Sequence, residues 1–274
     1  MSPFLRHIQA CNNAELPGER RPFRVSAQQV GWVMPDLATA LVKMAGISVE
    51  NGTITLADAA RLPDIARAAA SLGFGRMRNE AFDVRATPTG PVIAAIDRGA
   101  LPVFGIAAQG VHLDGLVRKN DGLHLWIGKR AANKALDPGK LDHIVAGGIP
   151  AGLTPWQTLV KEADEEASIP EPLLTQAHHY ATIHYAMARH EGLRRDILHC
   201  YEVELPPDFT PTPADGEVES FTLMPLSDIR DIIEHTDDFK FNVNVVLLTL
   251  LLRHNVIIGQ DAAELRSVLA IVGN

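Results

Sequence analysis

Three glutamates, Glu162, Glu165 and Glu166, crowd into one short segment, GGIPAGLTPWQTLVKEADEEASIP (147–170), beside Asp164 and with Lys161 as the segment's one cation. On a helix, like charges at i,i+4 spacing cost about 0.2–0.5 kcal/mol per pair. Glu162 meets Glu166 at that spacing, and Glu165 lies one turn from Glu162. Two explanations are open on this pattern alone. One is a solvated acidic face. The other is a hard divalent cation with oxygen ligands, Mg²⁺ or Mn²⁺, which would use all three carboxylates at once and keep them ionised.

The segment has the marks of a helix that could hold such groups in place. Thr154 can cap it, Pro155 fits the first helical position, and Gln157 completes a Thr-x-x-Gln capping box, so a helix is expected over 155–168. At about 100° per residue, Trp156, Val160, Ala163 and Ala167 form a stripe expected to pack inward, with the three glutamates facing the opposite way. Around this helix lie short strand-like runs: KLDHIVAGGI before it, then YATIHYAMAR, ILHCYEVEL and EVESFTLMPL. GVHLDGLVRKNDGLHLWIGKRA contains an Asn-Asp-Gly turn between two apolar runs and reads as a hairpin. LSDIRDIIEH, FNVNVVLLTLLLRH and AAELRSVLAIV read as helices.

The chain up to about residue 107 has a different texture and no chemical motif of its own. FRVSAQQVGWVM reads as a strand and PDLATALVKMA as a helix; LADAARLPDIARAAASLGF reads as a helix interrupted near Pro63. Two further short strands flank a Thr-Pro-Thr-Gly-Pro turn. The pattern gives a small α+β unit, 1–107, ahead of a larger α/β unit, 108–274, with helices packed on a mixed sheet.

Composition excludes some partners. A net charge of −8 over 274 residues argues against a general electrostatic grip on nucleic acid. Cys11 and Cys200 are too few and too far apart for a disulfide framework or a zinc site, which points to a reducing compartment and an expected cytoplasmic location. The N-terminal sequence has no secretory h-region. The most apolar run, VNVVLLTLLL, is about half the ~20 residues a spanning helix needs, so no membrane association is expected.

The segment from Gly147 resembles a Nudix box. In register it supplies Gly147, Lys161 where that family has Arg, Glu162, Ala163, Glu165, Glu166 and Ile169. Leu153 stands where the family has its first Glu, and Ser168 where it has Gly. With RNEAFDVR, FGIAAQGVHLDGLV, DGEVESFTLMPL and FKFNVNVVLL, nearly the whole chain resembles the thiamine-pyrophosphokinase-related Nudix proteins, which carry a small domain ahead of the Nudix domain. The resemblance implies an α/β/α sandwich with a mixed sheet, preceded by a small α+β domain.

It also implies Mg²⁺-dependent hydrolysis of a diphosphate-linked small molecule. Thiamine diphosphate or its damaged analogues is the family-suggested substrate, with nucleoside diphosphates a broader class. A catalytically idle, ligand-binding Nudix fold is the other reading, in a monomer or homodimer. The expected metal ligands are Glu162, Glu165 and Glu166, with the Gly147 carbonyl as a further one. Glu217, near a late strand start, is a candidate general base or extra ligand. Lys129, Arg130, Lys134 and Lys140 are candidate phosphate partners. Trp126 and Tyr185 are candidates for ring stacking, whereas His184 and His199 read as structural.

Overall fold

A computed structural model describes residues 2–134, 136–214 and 216–272. The first element is a short helix, α1 (Leu5–Cys11). A four-stranded sheet follows, built from β1 (Arg21–Val25), β2 (Gln28–Val33), β3 (Ile47–Glu50) and β4 (Thr53–Leu56), with α2 (Pro35–Leu41) between its hairpins. Its order is β2-β1-β4-β3, with β1 and β4 parallel. The run expected as one strand at 23–34 is thus the β1–β2 hairpin. Its turn has no glycine to signal it, because Ser26 itself takes positive φ, 54°.

Next come α3 (Leu62–Ser71), the β5 (Ala81–Val84) and β6 (Ala94–Asp97) hairpin, and α4 (Leu101–Phe104). Pro63 sits in the first turn of α3 and starts that helix rather than interrupting one, since the first turn needs no amide donor. Phe23, Leu41, Leu56, Leu62 and Phe104 form the core of this unit.

The second sheet carries the candidate chemistry. Its strands are β7 (Ala107–Lys119), β8 (Gly122–Arg130), β9 (Leu141–Asp142), β10 (Val145–Gly148), β11 (His178–Arg189), β12 (Gly192–Glu204) and β13 (Val218–Pro225). The order is β11-β12-β7-β8-β13, with β10 beside β7 and β9 beside β8. The β7–β12 pair is parallel and its neighbouring strand pairs antiparallel, so the sheet is mixed. Between strands lie α5 (Pro155–Ala167) and the short α6 (Glu171–Leu174); α7 (Leu226–His235), α8 (Phe241–Arg253) and α9 (Gly259–Val272) close the chain.

Leu159 and Ala163 of α5 pack with Val111, Leu113 and Val203 on one sheet face. On the other, Val245 and Val246 of α8 meet Ile183, Leu198 and Cys200. The VNVVLLTLLL run is this α8, buried from Asn242 to Leu252 apart from Thr249. Among the described residues no helix is long and apolar enough to cross a membrane.

Helix α1 crosses between the halves of the chain. Phe4, Leu5 and Ile8 share a core with Leu247 and Leu251 of α8. Arg6 donates to the carbonyls of Ile233, Glu234 and Thr236 at 2.8–2.9 Å, covering acceptors that the end of α7 leaves without helical partners. The second unit's core is therefore completed by the chain's first dozen residues.

Candidate active site

Helix α5 begins as its sequence requires. Gln157 N–H donates to Thr154 Oγ1 at 3.2 Å, and Thr154 N–H donates to Gln157 Oε1 at 3.0 Å. It ends at Ser168, which adopts the left-handed conformation (φ 53°, ψ 39°) that glycine would take without strain. The Ser168 hydroxyl donates to the Thr212 carbonyl at 3.1 Å. Ser168→Ala keeps the strain and loses this bond, so it should cost about 1 kcal/mol. Ser168→Gly exchanges the bond for relief of a similar strain and should stay within about 0.5 kcal/mol of wild type in urea unfolding. Equal losses in both would mean that the left-handed backbone carries no strain.

The helix is rotated from the sequence expectation. Its buried residues are Thr158, Leu159, Ala163, Glu166 and Ala167, while Trp156 is 38% exposed. Glu166 therefore lies within the buried face, 6% exposed, and accepts the Ala146 N–H at 2.8 Å. Glu162 is half-buried against Gly147, where an added Cβ would come within 2.6 Å of its Cγ and Cδ. Glu165 alone of the three faces solvent. The reason lies in β10, whose end is Gly147-Gly148: without side chains there, the helix flank can lay carboxylates onto strand backbone.

Electrostatics draw these groups together. Burial pushes the Glu162 carboxyl up, Lys161 opposes this, and the nearby Glu165 and Glu217 carboxylates add to the rise. Lys161 Nζ stands 3.2 Å from Glu162 Oε1 and also pairs with Glu165, so an ammonium already bridges two of the expected ligands. Glu217 pairs with Lys134 and lines a small cleft with Glu166, Asp142 and Gly128. The donors are oxygens of the type Mg²⁺ and Mn²⁺ prefer. Among the described residues, no three acidic, imidazole or thiol groups are already gathered closely enough to hold one ion. The groups thus fit a hard cation in type and place without being drawn fully together.

The expected phosphate partners are otherwise engaged. Arg130, with a side chain 12% exposed, pairs with Asp142 at 2.6 Å and donates to the Leu136 and Asp137 carbonyls. Burial would raise the Asp142 carboxyl, but Lys240, His143 and Arg130 hold it well below the usual carboxylate range. Arg130 is therefore a brace for its loop rather than an open phosphate ligand. Lys129 pairs with Glu219 at 3.1 Å on the surface, and Lys140 donates to the Asp237 carbonyl. Trp126 and Tyr185 are core residues, 8% and 4% exposed, and Tyr185 packs edge-on to Phe241 at 6.1 Å.

The two histidines read as structural lie instead on the open part of the α5 side of the sheet. His184 lines a cavity of about 440 Å³ between the β5 region and strands β7, β11 and β12. His199 Nε2 is 2.9 Å from Gln109 Oε1, and burial, with His179 and His184 nearby, lowers its pKa to about 4. His179 stacks edge-on to Tyr201 at 5.2 Å, and Trp156 lies 6.3 Å beyond Tyr201. The signal was the two-residue strand period: Thr182, His184 and Ala186 share one face, as do Ile197, His199 and Tyr201.

Comparison with known proteins bears on these features. The model of the NUDIX domain matches residues 111–244. "Nudix hydrolase 24, chloroplastic" of Arabidopsis thaliana is 35% identical, over 94% of this chain and 74% of its own length. "Nudix hydrolase 20, chloroplastic" of the same plant is 36% identical, over 97% and 76%. Among solved structures, that of DR0079 from Deinococcus radiodurans has 20% identity and a TM-score of 0.49, covering 62% of this chain and 98% of that one. The names of the two plant relatives overturn the expected cytoplasmic location. Its premise was too weak, because two free, buried cysteines such as Cys11 and Cys200 do not identify a compartment.

Proposed function

The chain belongs to the Nudix hydrolases, and from that premise we propose that it is an Mg²⁺-dependent pyrophosphohydrolase acting on a diphosphate-linked small molecule. The observation that carries this reading is the seating of Glu162 against Gly147 and of Glu166 on the Ala146 amide. Both carboxylates are held beside one stretch of backbone by contacts that need no metal. Glu162, Glu165 and Glu166 would hold the ion, Mg²⁺ or Mn²⁺, together with the Gly147 carbonyl. Bound there, it would neutralise phosphate charge and favour attack by water. Glu217, across the cleft from Glu166, would orient that water or accept its proton. Lys134, paired with Glu217 at the edge of the cleft, would offer a cation to a phosphate oxygen.

The substrate reading rests on family resemblance: thiamine diphosphate or its oxidised and damaged analogues, with nucleoside diphosphates as the wider class. Residues 1–107, apart from the α1 segment that packs on the second unit, would form the lobe that shapes the substrate side, and the large cavity between β5 and the second sheet supports this, since ligands favour such junctions. The competing reading, an idle binding fold, is favoured by Leu153 in place of a glutamate.

Leu153 packs on the α5 core, which suits a loop braced by apolar contact. Leu153→Glu should therefore destabilise the protein by about 1–3 kcal/mol and leave activity no higher; a large gain in turnover would show that the missing carboxylate is a defect. Phosphate release over a panel of diphosphates, with and without Mg²⁺, separates the hydrolase from the idle binder. Release only with Mg²⁺ is expected. Tight binding of a diphosphate with no release under any condition would favour the idle fold.

A further inference from the structure

The last two residues of β10 have no side chains, so whatever packs on them packs on backbone. Successive strand residues point to opposite faces. Gly147 is in register with Val111, which packs under α5, and on that side Glu162 lies against it. Gly148 faces the other way and meets Phe82 of β5, where an added Cβ would come within 2.6 Å of the ring's Cζ and 3.1 Å of its Cε1. The strand end is thus gripped between a carboxylate side chain of the second unit and an aromatic ring of the first.

That ring is held in place. Phe82 is 2% exposed, belongs to the core of the first unit and pairs with Ile96 across the β5–β6 hairpin. Arg98 lies over the ring, 5.6 Å from its centroid, and is itself held by Glu80 at 2.9 Å. The same hairpin takes a bond from the chain just beyond β10: Ala151 N–H donates to the Ala81 carbonyl at 2.8 Å, while Ile149 N–H donates to the Gln109 carbonyl of β7 at 2.9 Å. Strand β7 therefore secures the edge of β10, and Phe82 supports its face.

We infer that Phe82 is a positioning residue for the candidate metal site: it backs Gly148 so that Gly147 stays against Glu162, and so fixes where the Glu162 carboxylate and the Gly147 carbonyl stand. Its consequence for metal binding rests on the hydrolase reading. Glycine leaves a strand more conformational freedom than any other residue and gives it no side chain to pack. Ligands must nonetheless be held within about 0.5 Å of their working geometry, and a rigid wall behind the strand supplies that constraint. The first unit would then serve the metal site as well as the substrate cavity.

Three full-length variants test this. Phe82→Leu withdraws the far end of the ring while keeping an apolar side chain, Gly148→Ala drives a methyl against that ring, and the double variant places the methyl in the space the shorter side chain vacates. Amide hydrogen exchange over 145–149 should be about tenfold faster in each single variant, with exchange over 21–56 unchanged in Gly148→Ala. Mn²⁺, followed by electron paramagnetic resonance, should bind each single variant about tenfold more weakly. The double variant should return towards wild type in both readouts, whereas two unrelated losses of packing would add. Wild-type exchange in either single variant overturns the inference, as does a double variant no better than Gly148→Ala, including one that does not fold, or an exchange response with wild-type Mn²⁺ affinity in both single variants. Rescue in exchange, with no Mn²⁺ bound by the wild type, would sustain Phe82 as the support of the strand and sink the metal reading.

Discussion

Glu166→Gln and Glu165→Gln should each lower turnover by at least about two orders of magnitude while the protein stays folded. Each replacement keeps side-chain shape and removes the charge that would hold the cation. For Glu166 the amide oxygen can still accept the Ala146 N–H, 2.8 Å from the carboxylate in the wild type, so the helix–strand contact survives. For Glu165, exposed and paired with Lys161, loss of a surface ion pair costs at most about 1 kcal/mol. Steady-state kinetics beside thermal melting separates the roles: a matched fall in stability and activity would make these glutamates structural.

Gly147→Ala should cut turnover by about tenfold or more with a much smaller effect on folding. The new methyl would overlap Glu162 Cγ and Cδ at 2.6 Å, and a flexible carboxylate side chain yields before a paired strand does. Gly147 stays in register with Val111, and no positive φ is needed there. The substitution thus moves Glu162 away from the strand while leaving the chain otherwise placed. If turnover and Mg²⁺ dependence match wild type, the position of Glu162 does not matter and it is no ligand. Comparison with Glu162→Gln adds a check, since the two should fall together.

Much of this was legible in the sequence because it is local. The capping box at Thr154, the hairpin around Asn120-Asp121-Gly122 and the buried α8 follow from residue types at fixed spacing, and all three are found. The rotation of α5 was not legible. Periodicity placed Trp156 inside and Glu166 outside, whereas the helix docks on a glycine-ended strand that accepts a carboxylate as readily as a methyl. Arg130 and Asp142 meet only because β8 and β9 pair, so no linear pattern marks Arg130 as a brace. Helix α1 finds its core more than two hundred residues along the chain, and nothing near Leu5 signals that.

The most direct test of the central claim, that Glu162, Glu165 and Glu166 hold a catalytic divalent cation, is electron paramagnetic resonance of Mn²⁺ titrated into the wild type and into Glu166→Gln. Wild type should remove the free-Mn²⁺ signal until its sites fill, added Mg²⁺ should restore that signal by competition, and Glu166→Gln should bind at least about tenfold more weakly. Equal Mn²⁺ binding by the two proteins, or none by the wild type with its diphosphate substrate present, would contradict the account.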